Sequence, residues 1–158
     1  SREMALLLRR HGRRMTTEVI KEHRVRFVII GATAFPVHGY SRATLDIDVF
    51  IEPKRTNAER TRTALKAFGY DVSDVTIDEL LTHKVLIRQY LVETDIHPFV
   101  KGISFDRVWA NRVRARLGQT FAWFASLDDL IVMKQAAGRP KDKDDLKFLR
   151  QLRRRRAP

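Results

Sequence analysis

Short apolar runs and amphipathic stretches alternate through the middle of the chain, which predicts strands and helices in turn. Continuous apolar runs rich in β-branched residues predict buried strands at 25–30 and 45–51. Apolar side chains at helical spacing over 57–68, followed by Gly69, predict an amphipathic helix with a glycine C-cap. The other strands are predicted at 84–89, 91–97 and 120–124, and the other helices at 3–23, 32–38 and near 105–113.

The last third of the chain has the pattern of two consecutive helices. Ser126 and Asp129 have the spacing of a capping box, with Asp in place of the usual Glu. Gly138 ends the first helix and Pro140 is expected to begin the second. The apolar stripes are Leu130, Met133 and Ala137 in the first helix, and Leu146, Leu149 and Leu152 in the second.

These elements predict an α/β (α+β) fold, with a small mixed β-sheet flanked by helices and a helical C-terminal part. At 158 residues the chain has the length of one domain. We expect a single domain over 1–152, with a core at 25–124 and a helical part at 126–152. The basic residues 153–158 are expected to form a flexible tail.

Composition limits the classes of binding partner and of catalytic chemistry that are expected for the chain. The absence of cysteine excludes disulfides, thiolate catalysis and cysteine zinc sites, and no apolar run approaches the ~20 residues of a membrane span. A soluble cytoplasmic protein without a membrane partner is therefore expected. Thirty-one Lys and Arg against nineteen acids give a net charge of +12, which favours a nucleic acid or nucleotide partner.

Two like charges lie in a strand that otherwise has the pattern of a buried one. Asp46 and Asp48 flank Ile47, so their side chains share one face at about 7 Å between Cα atoms. Partly buried carboxylates at this spacing repel each other, and Mg²⁺ with phosphate oxygens would remove that conflict. The alternative is structural: Asp46 ends a turn and Asp48 points to solvent from an edge strand.

The residues upstream of Asp46 suggest which ligand would accompany the metal. The strand at 25–30 stops at Gly31-Ala32 and enters a short helix, where backbone N–H groups and the helix dipole favour an anion. A glycine turn that holds a triphosphate, followed by acids that hold its metals, is a consistent reading of residues 31–48.

This pattern resembles the signature of the nucleotidyltransferase superfamily that includes DNA polymerase β. The signature is Gly-Ser or Gly-Gly, about a dozen residues, then Asp-x-Asp or Asp-x-Glu; Ala32 departs from it at the second position. The blocks "GYSRATLDIDVFIEP" and "SLDDLIVMKQAAGRPKDKDDLKFL" are similar to the AbiEii-type branch of abortive-infection and type IV toxin–antitoxin systems. The resemblance spans 25–152.

The resemblance implies a third catalytic and metal-binding carboxylate beside Asp46 and Asp48. Asp95 fits it, with Glu93, on the same strand face by parity, as the rival; either is otherwise an exposed strand acid. Two Mg²⁺ ions are implied, with Mn²⁺ as the alternative. The implied nucleotide-binding residues are Gly31, Ala32, Thr33, Arg42, Lys134, Arg139 and Asp142.

Several of these side chains also have simpler readings. Lys134 either reaches the triphosphate or extends to solvent from the edge of its helix. Arg42 either neutralises phosphate or pairs with Asp46 or Asp48. Asp142 is expected to organise Lys134 or Arg139, or to help bind the base or ribose. It also shares a helix face with Asp145, as acids in a first helical turn commonly do.

Two aromatic residues and two histidines near these candidates have no single assigned role. Tyr40 and Phe99 either stack on a base or pack in the core. His38 and His97 lie near the site but lack metal-ligand spacing in the sequence, so they are interpreted as ordinary residues.

The expected function is Mg²⁺-dependent transfer of a nucleoside monophosphate from an NTP to an acceptor hydroxyl, with release of pyrophosphate. The acceptor is expected to be RNA, with tRNA as a candidate, or a protein. The resemblance implies a cognate toxin or antitoxin partner. The alternative function is a catalytically silent antitoxin, or a nucleotide- or nucleic-acid-binding module of the same fold.

Overall fold

A six-stranded mixed sheet forms the centre of the protein, in a computed structural model that describes residues 17–44, 46–88 and 93–157. In space the strands follow the order β3-β4-β2-β1-β6-β5. Strands β2 and β4 are parallel, as are β1 and β6, whereas the other neighbours are antiparallel. The strands are β1 (Phe27–Ile30), β2 (Asp46–Ile51), β3 (Val85–Ile87), β4 (Glu93–His97), β5 (Val113–Leu117) and β6 (Thr120–Phe124).

Helices connect and flank the strands. The described part of α1 covers residues 17–22, and a 3-10 helix, Gly31–His38, follows β1 directly. Side chains of Thr76, Ser104 and Ser126 cap the helices that follow them. The other helices are α2 (Arg55–Phe68), α3 (Ile77–Thr82), α4 (Phe105–Ala110), α5 (Leu127–Ala137) and α6 (Asp142–Arg156). None of the described helices combines the length and apolar character of a membrane span.

The central strands are buried on both faces, which explains their nearly continuous apolar sequence. All four residues of β1 are buried, and in β2 Ile47, Val49, Phe50 and Ile51 are each no more than 1% exposed. The two partly exposed positions of β2 are Asp46 and Asp48. The charged pair therefore lies where the buried sheet opens at one end of β2.

The predicted fold class is confirmed: a mixed sheet is flanked by helices, and two helices follow it at the C-terminal end. The predicted helix near 105–113 is too long, since α4 ends at Ala110 and Val113 begins β5. The missed signal is the strict alternation of apolar residues with Arg114 and Arg116, which has the period of a strand. Helix α3 was also not predicted.

The last helix is longer than its sequence pattern predicts. It begins at Asp142 rather than at Pro140 and continues to Arg156, across residues expected to form a flexible tail. The guanidinium of Arg156 donates a hydrogen bond of 3.1 Å to the carbonyl oxygen of His38. The N-terminal part of the predicted helix at 3–23, the strand residue 45 and the strand ends at 89 and 91 lie outside the described residues.

Candidate active site

The register between β2 and β4 gathers four carboxylates on one face of the sheet. In this parallel pair Asp46 lies beside Glu93, and Asp48 lies beside Asp95. Residues paired in this way project to the same face, as do residues two apart along each strand. Together with His97, the next residue on that face of β4, they form what we call the strand cluster.

His97 is the functional candidate that the sequence analysis missed. Its Nε2 lies 2.8 Å from Oδ1 of Asp48. Ligand atoms of Asp48, Asp95 and His97 all lie within 4.8 Å of one another, a spacing compatible with one metal ion. The parity that put Glu93 and Asp95 on one face also includes His97, and that signal would have found it.

Gly31 is in close contact with the Asp48 carboxylate. Its φ is +69°, in the left-handed region, and a Cβ built there would lie 2.6 Å from Oδ2 of Asp48. No other residue type fits this position without moving Asp48. The glycine turn and the paired acids are therefore physically adjacent.

The two residues after Gly31 are buried rather than open to a ligand through their side chains. Ala32 is 7% exposed and Thr33 is 9% exposed. The Thr33 hydroxyl donates a hydrogen bond of 3.1 Å to the backbone carbonyl of Asp46. Only the backbone amides of this turn remain for an anion, while the Thr33 side chain fixes the start of β2.

The surroundings of Asp46 in the strand cluster oppose the ionisation of its carboxyl group. Burial, a hydrogen bond with Glu93 and the charges of Asp95 and Glu93 raise the pKa of Asp46 to about 6. Its buried Oδ1 has no hydrogen-bond partner among the described residues. Arg88 opposes the shift, because its charge favours the ionised form.

Asp95 is the best-neutralised acid of the strand cluster. The Arg88 guanidinium donates to its Oδ1, and Nζ of Lys84 lies 3.7 Å from its Oδ2. Glu93, the rival third carboxylate, lies 3.5 Å from Nε of Arg88 and is not in the metal-compatible triplet. A metal ion bound by Asp95 would therefore compete with Arg88 for this carboxylate.

The strand cluster fits a divalent cation. Carboxylate oxygens are the ligands that Mg²⁺ and Mn²⁺ prefer, and His97 adds a nitrogen donor on the same side. The unpartnered Oδ1 of Asp46 is a buried oxygen that such an ion would satisfy. These features fit a metal site built from Asp48, Asp95 and His97, with the Asp46 carboxylate on the same face of the sheet.

A second group of charges joins the two C-terminal helices to the segment before β2. Nζ of Lys134 lies 3.1 Å from Oδ1 of Asp142 and 3.2 Å from Oδ2 of Asp145. Nε of Arg139 donates to Oδ2 of Asp142 at 2.7 Å. Asp142 therefore organises both Lys134 and Arg139, as expected. We call Arg42, Lys134, Arg139, Asp142 and Asp145 the helix cluster.

Arg42 pairs with neither Asp46 nor Asp48, so the second of its two alternatives is wrong and the first stays a prediction. Its Nε and Nη2 bind the two carboxylate oxygens of Asp145, at 2.8 and 2.9 Å. Tyr40 also donates to Asp145, at 3.0 Å, and its ring stacks against other aromatic rings. Phe99, the other aromatic considered for base stacking, is 64% exposed.

The acids of the helix cluster are held ionised. Burial alone would raise the pKa of Asp142, but hydrogen bonds and charge from Arg139 and Lys134 lower it to about 2. The pKa of Asp145 is also lowered, because Arg42 and Lys134 outweigh its burial. The pKa of Arg139 is raised by its hydrogen bond with Asp142 and then by the charges of Asp142 and Asp48, so the two clusters are close enough to interact.

This geometry agrees with the comparison to known families. The model of a family described as "Nucleotidyltransferase of unknown function (DUF6036)" matches residues 13–150. The chain belongs to this nucleotidyltransferase family. No curated protein matches it. The predicted nucleotidyltransferase relationship is confirmed, whereas the AbiEii-type branch stays a prediction.

Membership in a nucleotidyltransferase family makes the chain a transferase at the level of reaction class, with a nucleotide as substrate. The match covers both charged clusters, since it extends from before β1 to within α6. The strand cluster supplies acids for a cation, and the helix cluster carries three basic and two acidic side chains. A site with these two halves suits a metal-bound polyphosphate.

Proposed function

We propose that this protein transfers a nucleoside monophosphate from an NTP to a hydroxyl group of RNA in a metal-dependent reaction that releases pyrophosphate. One observation carries the proposal: β2 and β4 align Asp48 with Asp95, while Gly31 lies against the Asp48 carboxylate. This arrangement supports a metal site and a phosphate-binding turn in direct contact.

In the proposed mechanism Asp46, Asp48 and Asp95 hold one or two Mg²⁺ ions, with Mn²⁺ as the alternative. A bound metal supplies charge neutralisation at the phosphate oxygens. His97 orients the Asp48 carboxylate through their 2.8 Å contact. Gly31 leaves the room that this carboxylate needs.

The remaining residues bind and orient the triphosphate. The amides of Gly31, Ala32 and Thr33 lie at the start of a helix, where the first N–H groups lack intrahelical partners. Lys134 and Arg139 provide positive charge for the β- and γ-phosphates, and Asp142 holds both side chains in position.

The chemical step is a substitution at the α-phosphorus. The acceptor oxygen forms a bond to the α-phosphorus, and the bond from that phosphorus to the oxygen bridging the β-phosphate breaks. Pyrophosphate leaves with the bonding electrons, and the hydroxyl proton passes to a carboxylate of the strand cluster. Positioning and charge neutralisation account for most of the catalysis.

RNA is the proposed acceptor because of the strong positive charge of the chain, +12 overall. The resemblance to the AbiEii-type branch makes tRNA the first RNA to test and suggests a cognate toxin or antitoxin partner. A protein hydroxyl is the other acceptor that the same experiment detects.

The test uses the whole chain incubated with each α-³²P-labelled NTP, total RNA and Mg²⁺ or Mn²⁺. We expect label in RNA, no label with EDTA, and a loss of at least about 100-fold for Asp48→Asn. Asp74→Asn, which neutralises an exposed acid outside both clusters, is the matched control. Equal labelling by Asp48→Asn and the unchanged protein would contradict the mechanism.

A nucleotide-binding module without turnover is the second candidate. The contacts of Arg88 and Lys84 with Asp95 favour it, because they neutralise the third carboxylate without a metal. Binding of a fluorescent ATP analogue without label transfer to RNA or protein would support this candidate over the enzyme.

A further inference from the structure

The hairpin of β5 and β6 carries a surface to which the proposed mechanism has assigned no role. Arg114 pairs with Trp123 and Arg116 pairs with Phe121 across the hairpin, so these four side chains share one face. Together with Trp109 of α4 and Arg112, they form what we call the arginine–aromatic surface.

Guanidinium groups and rings are in direct contact along this surface. The Arg112 guanidinium carbon lies 3.8 Å from the Trp109 ring centroid and 4.2 Å from that of Trp123. The corresponding carbon of Arg114 lies 3.8 Å from the centroid of the Phe121 ring. Such contacts restrict the guanidinium groups to positions over the rings.

These arginines have no acidic partners among the residues that the structure describes. Within the described part of the chain, no carboxylate lies within 4 Å of the guanidinium nitrogens of Arg112, Arg114 or Arg116. Nε of Arg112 is buried and has no hydrogen-bond partner among the same residues. Arg114 and Arg116 are exposed. In the helix cluster, by contrast, every basic side chain binds a carboxylate.

A cavity of about 370 Å³ adjoins these residues. Trp109, Trp123, Phe121, Arg114 and Lys21 contribute to its lining. This volume lies within the range of small-molecule sites, and a lining of rings and cations suits a planar base with a phosphate.

The surface lies on the same sheet face as the acids. Ile30 pairs with Asp48, and Ile29 pairs with Phe124, so by alternation Trp123 projects to the face of Asp48. Strand β6 is two strands from β2, about 10 Å at the usual strand spacing. A single-stranded nucleic acid bound along β6 and β5 therefore has one end within reach of the strand cluster.

We propose that the arginine–aromatic surface binds an unpaired segment of RNA, whose bases stack on the rings and guanidinium planes while its phosphates contact Arg114 and Arg116. Unpaired RNA combines the flat bases and regular negative charges that this surface complements. The proposal rests on the proposed function in one respect, namely that the bound RNA is the acceptor.

The test measures RNA binding alone, without NTP or metal. A fluorescein-labelled 12-nucleotide oligo(U) is titrated with the whole protein, and binding is followed by anisotropy. Intrinsic fluorescence reports the location, because the chain has two tryptophans and both, Trp109 and Trp123, line the cavity. We expect unlabelled oligo(U) to quench this fluorescence over the same concentration range.

The decisive variant is Arg114→Gln/Arg116→Gln, which removes two exposed charges from the edge strand. We expect binding to weaken at least about tenfold and the slope of log K against log salt to decrease by about 1.4. The matched control is Arg60→Gln/Lys66→Gln, which removes two exposed charges from α2. We expect the control to bind nearly as tightly as the unchanged protein.

Equal weakening by the two double variants would overturn the proposal. Binding without tryptophan quenching, or equal competition by poly-glutamate of matched charge, would also overturn it. Loss of binding only in Lys147→Gln/Arg150→Gln would likewise overturn it and assign the RNA to α6. Failure of the proposed function is seen separately, as absence of metal-dependent NTP binding in a protein that still binds oligo(U).

Discussion

The strand cluster and the helix cluster are both built from buried acids and nearby cations, yet the charges are arranged in opposite ways. In the strand cluster Asp46 keeps a buried oxygen with no partner among the described residues, and its pKa is raised to about 6. In the helix cluster Asp142 accepts bonds from Lys134 and Arg139, and its pKa is lowered to about 2. Similar residues therefore produce two different environments.

The difference shows in which cluster the acids are neutralised without a ligand. Every acid of the helix cluster has basic partners at hydrogen-bond distance, so each of its carboxylates is neutralised without a ligand. The strand cluster keeps like charges close together, which opposes folding unless a cation joins them. Sites that bind ligands often retain such unrelieved conflict.

Gly31→Ala is expected to have the largest effect on this comparison. The added Cβ would lie 2.6 Å from Oδ2 of Asp48, so the carboxylate must move. We expect Mn²⁺ binding, measured by electron paramagnetic resonance, and label transfer to decrease at least about 100-fold.

Gly138→Ala is the control for backbone strain. Gly138 also has a positive φ, +62°, but its Cβ would meet no atom closer than 3.8 Å. Both variants are expected to lose about 1–2 kcal/mol of unfolding free energy. If Gly138→Ala also loses Mn²⁺ binding, backbone strain rather than proximity to Asp48 explains the loss of binding in Gly31→Ala.

Neutralising one acid in each cluster should change stability in opposite directions. Asp142→Asn leaves Arg139 and Lys134 without their main partner, so we expect a loss of about 2–4 kcal/mol in urea unfolding. Asp46→Asn removes repulsion, so we expect a gain on the order of 1 kcal/mol. Asp144→Asn, at an exposed position in the same turn of α6, controls for the helix dipole. Destabilisation by Asp46→Asn would contradict the contrast between the clusters.

The same contrast predicts how stability depends on pH. The pKa of Asp142 is lowered from 3.8 to about 2, so its contribution is present above pH 3.8 and is lost as pH falls through 2. The pKa of Asp46 is raised from 3.8 to about 6, so its contribution is present below pH 3.8 and is lost as pH rises through 6.

Urea unfolding of the metal-free protein across this range checks both signs. Asp46→Asn should remove the decrease in unfolding free energy between pH 4 and 6. Asp142→Asn should remove the loss of unfolding free energy at lower pH. A profile of the unchanged protein that rises steadily from pH 4 to 6 would argue against the raised pKa of Asp46.

The smallest expected effect is a gain of metal affinity in Arg88→Gln. Arg88 contacts Asp95 and competes with any ion that this acid binds. We expect Mn²⁺ to bind several-fold more tightly, and isothermal titration calorimetry measures this change. Arg60→Gln, with the same loss of charge on α2, should leave the affinity unchanged. Weaker Mn²⁺ binding by Arg88→Gln would mean that Arg88 supports the site rather than competes for it.

Alternation in two strands accounts for most of what could be predicted about the strand cluster. Asp46 and Asp48 share a face because side chains alternate, and the same rule put Glu93 and Asp95 together. It extends to His97 as well, but no local pattern links His97 to Asp48. Their contact exists only because β2 and β4 pair in parallel with Asp48 beside Asp95.

The partner of Arg42 shows a different limit. The nearest acids in sequence are Asp46 and Asp48, yet its guanidinium binds Asp145 of α6. Which buried acid an arginine reaches depends on how helices pack on the sheet, and that packing is settled by contacts distant along the chain. Strand β5 was missed for a different reason, since the alternation of apolar residues with Arg114 and Arg116 was present in the sequence and was not used.

By itself the sequence determined most of the elements, the charged face of β2, the glycine turn and the resemblance to nucleotidyltransferases, because each follows from local periodicity or spacing. The tertiary structure decided which acids meet, which cations neutralise them, and that Gly31 touches Asp48. Those facts depend on strand register and helix packing, and both are fixed by burial summed over the whole core rather than by any short stretch.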